Sequence, residues 1–302
     1  MSLVTLPFPV SVLASHPADL EYAMFRGGDS YDGLESTAFW VPPYPGELDY
    51  AGAVAAMPGL RVVQTQTAGV EHLVDHLDGA TTLCNAAGVH DAATAEMGIA
   101  LILSVLRQIP RFVRAQDRAV WDRDNMTESL ADKTVLVVGY GNIGRALGAR
   151  LSGFEAQVVP FARSARDGVL AMTDLDRHLP TADVVVLLVP STATTRHLVD
   201  SRFLGSMKDG ALLVNLARGP VVDTEALMVE LLAGRLFAAL DVTDPEPLPP
   251  DHRLWAMPQV LITPHSAGGT TAMAPRLRRL VERQLWAFAR GEGLTNVVRA
   301  GS

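Results

Sequence analysis

The chain has one cysteine, no apolar run long enough to cross a bilayer and no excess of positive charge. Each shortage excludes a class. A lone thiol, Cys84, cannot close an internal disulfide, which fits a reducing compartment and leads to the expectation of a cytoplasmic protein. Flanked by Thr82 and Leu83, it reads as a small buried hydrophobe rather than a nucleophile. The longest apolar stretch, residues 97–106, is about half of the ~20 residues that a spanning helix needs, so no membrane segment is expected. No Lys or Arg precedes the first apolar residues, unlike a secretory signal. A net charge of −8 at pH 7 argues against a nucleic-acid backbone as the main partner. Repeats and low-complexity tracts are absent. His72 and His76 are four apart in a stretch that reads as helix, a geometry able to hold a metal. No third ligand accompanies them at a suitable spacing, and no metal is expected.

What is present is a large apolar fraction, 48% of 302 residues, enough for two domains of ordinary size. Short apolar runs at residues 10–13, 38–41, 60–63 and 82–84 read as strands alternating with helix or loop, which predicts a small α/β domain. A long helical pattern starts near Asp91 and runs through Ala95, Ile99, Leu103 and Leu106 toward Phe112, the longest in the chain. Strand-like runs follow at residues 157–161, 184–189, 211–215, 237–240 and 260–263, each separated by room for a helix. That spacing predicts a doubly wound parallel sheet. A last helical stretch, residues 271–290, has no strand after it in this pattern and is expected to return the chain to the first domain. The expected domains are residues 1–86 with 270–302, and residues 87–269, with a ligand cleft expected between them. Arg276, Arg278, Arg279 and Arg283 crowd the last helix and read as a solvated face or part of a subunit contact.

The expectation of a dinucleotide site comes from one junction. The apolar strand Thr134-Val135-Leu136-Val137-Val138 empties into Gly139-Tyr140-Gly141-Asn142-Ile143-Gly144, and a helical pattern in Ala146, Leu147, Ala149 and Leu151 follows. In such a turn the first glycine permits the tight bend, the second lets a pyrophosphate approach the backbone and the third lets helix pack on strand. The helix N-terminus adds free N–H groups and a positive dipole.

Three further stretches stand at the ends of expected strands, where open α/β sheets bind ligands. They contain Arg218, Glu246 and His265 in turn. Reduction of a 2-keto acid needs these three residue types for separate reasons. An arginine clamps the substrate carboxylate and draws charge from the ketone oxygen through a planar fork that lysine lacks. A histidine, the side chain that changes charge nearest neutrality, is a natural proton donor to that oxygen as hydride arrives. A glutamate bonded to the other ring nitrogen favours the imidazolium and holds its orientation. The run Pro245-Glu246-Pro247-Leu248-Pro249-Pro250 is a stiff loop, because each proline fixes φ and removes a donor.

Several stretches carry a wider resemblance: Thr67-Ala68-Gly69-Val70-Glu71-His72, Asn85-Ala86-Ala87-Gly88-Val89 through Ala95-Glu96, the glycine turn, Val189-Pro190 through Thr195-Arg196-His197-Leu198, and the segments around Arg218, Glu246 and His265. Over nearly its whole length the sequence resembles the D-isomer-specific 2-hydroxyacid dehydrogenase family. The resemblance implies two doubly wound α/β domains, a flavodoxin-like substrate domain and a Rossmann dinucleotide-binding domain. It also implies NAD(P)H-dependent reduction of a small 2-keto acid to the D-2-hydroxy acid, with the reverse oxidation, and a homodimer formed through the cofactor domain. By that resemblance Arg218, Glu246 and His265 are catalytic, and backbone N–H groups around Ala68, Gly69 and Val70 bind the substrate carboxylate. Asp241 contacts the nicotinamide carboxamide, while Thr94, Val189, Pro190, Thr195, Leu216 and Ala217 line the cofactor. The run Phe39-Trp40-Val41-Pro42-Pro43 looks most like the glyoxylate and hydroxypyruvate reductases, with Trp40 near substrate; Trp40 as a core residue of the first domain reads equally well.

One place departs from the NAD-preferring pattern. Where an aspartate would bind the adenosine ribose, Ala162 stands, followed by Arg163, Ser164, Ala165 and Arg166. Arg163 and Arg166 can pair with a 2′-phosphate and Ser164 can donate to it, so NADP is expected over NAD. Asp167 is the counter-argument, since a shifted loop could bring it to the ribose. Two other functions stay open: a nucleotide-sensing interaction protein like the family's transcriptional corepressors, and a same-fold dehydrogenase of another reductant such as formate or phosphite. The enzyme reading is favoured because no long interaction appendage is present, and formate dehydrogenases carry an asparagine- and glutamine-rich site in place of the glutamate and histidine.

Overall fold

A computed structural model describes residues 1–28, 30–44, 48–123, 126–299 and 301. In chain order it begins with strands β1 (Ser2–Leu6), β2 (Leu20–Met24) and β3 (Thr37–Trp40), helix α1 (Tyr50–Ala55), and strands β4 (Val62–Gln64) and β5 (Thr82–Cys84). Helices α2 (Asp91–Leu106) and α3 (Ile109–Asp117) lead to β6 (Thr134–Val138), α4 (Asn142–Leu151), β7 (Gln157–Ala162), β8 (Leu170–Ala171) and β9 (Val184–Leu187). The chain continues through α5 (Ser201–Ser206), β10 (Leu212–Asn215), α6 (Thr224–Leu232), β11 (Phe237–Leu240), β12 (Val260–Ile262), α7 (Met273–Arg290) and β13 (Val297–Arg299). It divides into two compact units, Met1–His90 with Thr271–Ser302, and Asp91–Thr270.

The second unit holds a seven-stranded sheet in the order β12-β11-β10-β9-β6-β7-β8, with every described pairing parallel. Counted from β6, this is the Rossmann order 3-2-1-4-5-6 with one strand added. Its central strands are apolar at nearly every position because both faces are covered. Successive side chains divide between two cores: Leu136, Val138, Val185, Leu187 and Leu213 enter one, and Val135, Val137, Val184, Val186, Leu212 and Val214 enter the other. Burying each such side chain contributes about 1.5–3 kcal/mol, while fixing a residue's backbone costs about 1–2 kcal/mol. Strands of only four residues therefore hold because both faces are sealed.

The first unit holds a six-stranded sheet, β13-β5-β4-β3-β1-β2, parallel except for β13 against β5. The order β2-β1-β3-β4-β5 is the flavodoxin-like one. Phe39 and Val62 enter a core with Leu277, Leu280, Val281 and Leu285 of α7, whereas Trp40, Val63 and Leu83 face the other way. The α/β class and its two doubly wound sheets are as expected.

Four local expectations are corrected. Residues 10–13 form no strand; a 3-10 turn covers Val10–Val12 behind Pro7 and Pro9, while the actual strands β1 and β2 lie on either side. The helix from Asp91 does not run to Phe112, because Pro110 lacks an N–H and its ring would strike the carbonyl of Leu106. Instead Gln108 turns to φ 52°, and α3 leaves at 68° to α2. At 18 residues α7 is longer than α2 at 16. His72 and His76 share no helix: His76 ends a 3-10 turn, Val74–His76, and His72 precedes it with its ring 5.0 Å from that of Tyr50. No single helix among the described residues is long and apolar enough to cross a membrane. Cys84 is fully buried, and burial pushes its thiol up to about 11 against a smaller opposing hydrogen bond from Gln284, so it is inert as a nucleophile at neutral pH.

Candidate active site

Parallel strands bring their C-terminal ends to one edge, and in the second unit the chemistry-bearing residues collect there. The glycine turn follows β6, and β9, its neighbour at the point where the strand order reverses, leads into Val189 and Pro190. Gly139 has φ 105°, and a Cβ on it would stand 2.6 Å from the backbone of Leu188. A Cβ on Gly144 would come within 2.7 Å of the Gly139 carbonyl. These two glycines serve the protein's own packing. Gly141 differs, since a Cβ there would meet nothing within 4 Å.

Helix α4 begins at that open glycine with no side chain capping its first turn. By contrast α1, α5 and α6 are capped by the carboxylates of Asp49, Asp200 and Asp223. The N–H groups of Asn142, Ile143 and Gly144 therefore face the site with a positive helix end and no protein counter-charge. An open cradle and an uncapped helix fit the diphosphate of a dinucleotide.

The loop expected at the adenosine ribose follows β7. Ala162, Arg163, Ser164 and Arg166 stand there with no acid at the strand end, and Arg163, Ser164, Arg166 and Asp167 are exposed. Arg166 donates from Nη2 to the Tyr140 carbonyl at 2.5 Å and so ties this loop to the glycine turn. Arg163 carries no such tie. Below, Thr195 donates to the Pro190 carbonyl at 2.6 Å and fixes the turn after β9. Val189, Leu216, Ala217 and Thr94 are buried in this unit.

Arg218, Glu246 and His265 arrive on the loops after β10, β11 and β12, three neighbouring strands. Arg218 is half-buried, with its Nη1 on the Ala217 carbonyl at 2.8 Å. Its turn is braced by the buried Asn215, whose amide donates to the Arg218 carbonyl at 3.0 Å and accepts from the Ala217 N–H at 3.0 Å. The proline-rich loop presents Glu246, whose Oε1 lies 2.5 Å from His265 Nδ1. Both side chains keep 40–45% of their surface exposed. With Nδ1 committed to the carboxylate, Nε2 is the ring nitrogen left to exchange a proton.

His265 itself sits at φ 49°, a left-handed conformation costly for a residue with a Cβ. Its N–H holds the conformation by donating to the Asp241 carbonyl at 2.7 Å and the Thr263 carbonyl at 3.0 Å. The Asp241 carboxylate, almost fully buried, accepts from Thr263 Oγ1 at 2.6 Å and from the Ser266 and Ala267 N–H groups at 3.0 and 3.1 Å. Asp241 is thus the hub on which the histidine loop turns. Nothing in the sequence pattern pointed to that role; an aspartate directly after a buried strand, followed about twenty residues later by a second strand end, was the available signal.

In the first unit the run after β4 is held by its carbonyls. The Thr67 carbonyl accepts from Ala86 N–H and Thr65 Oγ1, Ala68 from Asn85 Nδ2 at 2.8 Å, and Gly69 from Thr67 Oγ1 at 2.6 Å. The amides of Ala68, Gly69 and Val70 donate to no group among the described residues, so the run presents N–H groups to an acceptor. Trp40, by contrast, is fully buried in the apolar core with Tyr50 and Val63 around it, and its ring offers no accessible face to a ligand. No group of three or more His, Cys, Asp or Glu that could hold a metal occurs among the described residues.

Comparison with known proteins bears on the family. A family model described as the NAD-binding domain of D-isomer specific 2-hydroxyacid dehydrogenases matches residues 99–267. A glyoxylate reductase of Thermofilum pendens is 36% identical over 258 residues, 80% of this chain and 76% of the relative. The glyoxylate reductase/hydroxypyruvate reductase of Mus musculus is 31% identical over 265 residues, 83% of this chain and 79% of the relative. Among solved structures, a D-isomer specific 2-hydroxyacid dehydrogenase from Xanthobacter autotrophicus Py2, in complex with NADPH and MES, matches with a TM-score of 0.83 at 28% identity, covering 98% of each chain.

Proposed function

The chain belongs to the D-isomer-specific 2-hydroxyacid dehydrogenase family, an oxidoreductase family with a nicotinamide dinucleotide cofactor, and from that premise we propose that it reduces a small 2-keto acid of the glyoxylate or hydroxypyruvate kind with NADPH. The product is the D-2-hydroxy acid, and the same site runs the reverse oxidation. The observation that carries this reading is the Glu246–His265 pair on the strand edge that also bears the open glycine turn.

When bound, the nicotinamide supplies the hydride that reaches C2 of the substrate. His265 gives the proton from Nε2 to the former ketone oxygen, and Glu246 holds Nδ1 so that Nε2 is left for that transfer. Arg218 holds the substrate carboxylate in its planar fork and stabilises charge growing on the oxygen. In the first unit the amides of Ala68, Gly69 and Val70 offer N–H groups suited to a carboxylate, which makes it the substrate unit and the second the cofactor unit. Asn142, Ile143 and Gly144 would hold the cofactor diphosphate on their N–H groups, and Asp241 would hold the carboxamide with its remaining acceptor capacity.

The preference for NADPH rests on the exposed Arg163 and the missing acid after β7. A homodimer belongs to the same reading: in the second unit Ile109, Val113 and Val120 are each about half exposed and Trp121 is 90% exposed, an apolar strip suited to a second copy. A cytoplasmic location suits the single buried thiol.

The test is loss of NADPH absorbance, and separately of NADH absorbance, with a panel of 2-keto acids, for the wild type and His265→Ala. Turnover that prefers NADPH and falls by about 10²–10⁴-fold in the variant is expected. A wild type that binds NADPH and turns over no member of the panel overturns the enzyme reading in favour of a nucleotide sensor, and equal or better use of NADH overturns the cofactor preference.

A further inference from the structure

The basic cluster on α7 has a pocket in front of it, and both belong to the first unit. Arg276, Arg279, Leu280 and Arg283 recur at the spacing of one helix face and, with residues 87–89, line a cavity of about 280 Å³. Leu280 and Val89 give it an apolar floor, both being part of the core beneath. Gly88 opens into it with φ 93°, and a Cβ there would meet nothing within 4 Å.

Among the described residues no acid pairs with the arginines of this pocket. Arg276 is half-buried while Arg279 and Arg283 are exposed, and none of the three forms an ion pair or side-chain hydrogen bond among the described residues. The one acid of α7, Glu282, points elsewhere and accepts from the Ala14 N–H at 2.5 Å. Some arginines elsewhere in this acidic chain are paired, as Arg111 with Asp122 and Arg235 with Glu230 and Asp209. Like charges three and four residues apart repel, so α7 bears a penalty that an anion in the pocket would remove.

We propose that Arg276, Arg279 and Arg283 form a binding site for a small anion bearing phosphate groups, of the size of pyrophosphate or a phosphorylated short-chain acid. Three planar forks offer paired N–H donors matched to phosphate oxygens. Three positive charges with no acid among them call for an anion of charge −2 or more, which a single carboxylate does not supply. The cavity, about 280 Å³, is slightly smaller than the roughly 300–1,000 Å³ of drug-sized ligand pockets and too small for a whole dinucleotide.

The experiment is calorimetric titration of the full-length protein with pyrophosphate, its nicotinamide dinucleotide held at saturation so that the glycine turn is filled. Wild type, R283Q and R279Q/R283Q are compared, with malonate as the carboxylate control. Saturable pyrophosphate binding by the wild type is expected, weakened about tenfold in R283Q and on the order of a hundredfold in R279Q/R283Q, with unchanged circular dichroism. No binding by the wild type, or equal binding by all three proteins, overturns the site. Malonate binding tighter than pyrophosphate overturns the assignment to phosphate.

Discussion

The two units use the same sheet logic and present chemistry by different groups. At the C-terminal edge of the second sheet the proposed reactive groups are side chains, Arg218, Glu246 and His265, each on its own loop after one of three adjacent strands. In the first unit the corresponding loop after β4 presents peptide amides, with its carbonyls turned inward onto Asn85, Thr65, Thr67 and Ala86. Side-chain chemistry is declared by residue type. Backbone chemistry is declared only by what pins the carbonyls, which residue type at the presenting positions does not reveal.

That contrast can be broken by substitution. After His265→Ala, the largest effect is expected from Arg218→Lys, which keeps charge but loses the planar fork; kcat/KM should fall about 100-fold, read in steady-state reduction of the best keto acid. A fall of less than threefold would mean that Arg218 acts as a point charge only. Next come the two glycines of one turn. Gly141→Val should weaken the dinucleotide at least tenfold, measured by fluorescence titration, with the melting temperature unchanged, because its side chain fills the ligand's space rather than the protein's. Gly139→Ala should do the reverse and lower the melting temperature by roughly 10 °C, since the new Cβ meets Leu188. In the first unit Asn85→Ala frees the Ala68 carbonyl and should raise the substrate KM about tenfold while kcat changes less. An unchanged KM would remove the backbone amides from substrate binding.

The smallest expected effect concerns stability alone. Asp183 lies in the second unit beside Lys133 and Lys208, the only two lysines of the chain, and also accepts from the Thr134 N–H at 2.9 Å. Burial pushes its carboxyl up, but the Lys208 hydrogen bond, the Thr134 N–H and the two ammonium charges together hold it below the usual carboxylate range. Glu128 is held low in the same way, first by its hydrogen bond from Lys133. A depressed folded-state value gives stability that is complete above the unfolded carboxylate range of about pH 4 and is lost as pH falls through the folded value. The melting temperature should therefore decline on acidification below about pH 4, and Asp183→Asn should lower it by about 2–4 °C at pH 7 and flatten that decline. Equal acid sensitivity of the wild type and Asp183→Asn would assign the decline to other carboxylates.

How far the sequence could be read follows from the same physics. The central strands of the second sheet were legible because burial on both faces demands continuous apolar runs, as in Val184-Val185-Val186-Leu187. The strands β1 and β2 were not, since β2, with residues of mixed burial, lies at the sheet edge and reads as neither run nor alternation. Strand β13 has three residues and pairs with β5 more than two hundred positions earlier, so only the closed fold reveals it. The break between α2 and α3 was written in Pro110, but the apolar periodicity running across it concealed the stop. Trp40 reads as well for a core as for a cleft by its neighbours in sequence, and its burial is decided by Tyr50, Val63 and the rest of the packing around it.

The sequence by itself determined what short-range chemistry can encode: the strand-turn-helix at Gly139, the absence of acid after β7, and the residue types at positions 218, 246 and 265. These depend on local backbone geometry and side-chain identity, which a stretch of ten residues carries within itself. Only the tertiary structure decided that Glu246 reaches His265, that Arg166 is spent on the Tyr140 carbonyl while Arg163 is not, and that Asp241 anchors the loop that carries His265. It also decided that three arginines of α7 share a pocket with residues 87–89. Each joins residues far apart in sequence, and whether they meet is set by sheet order and core packing, which no single segment contains.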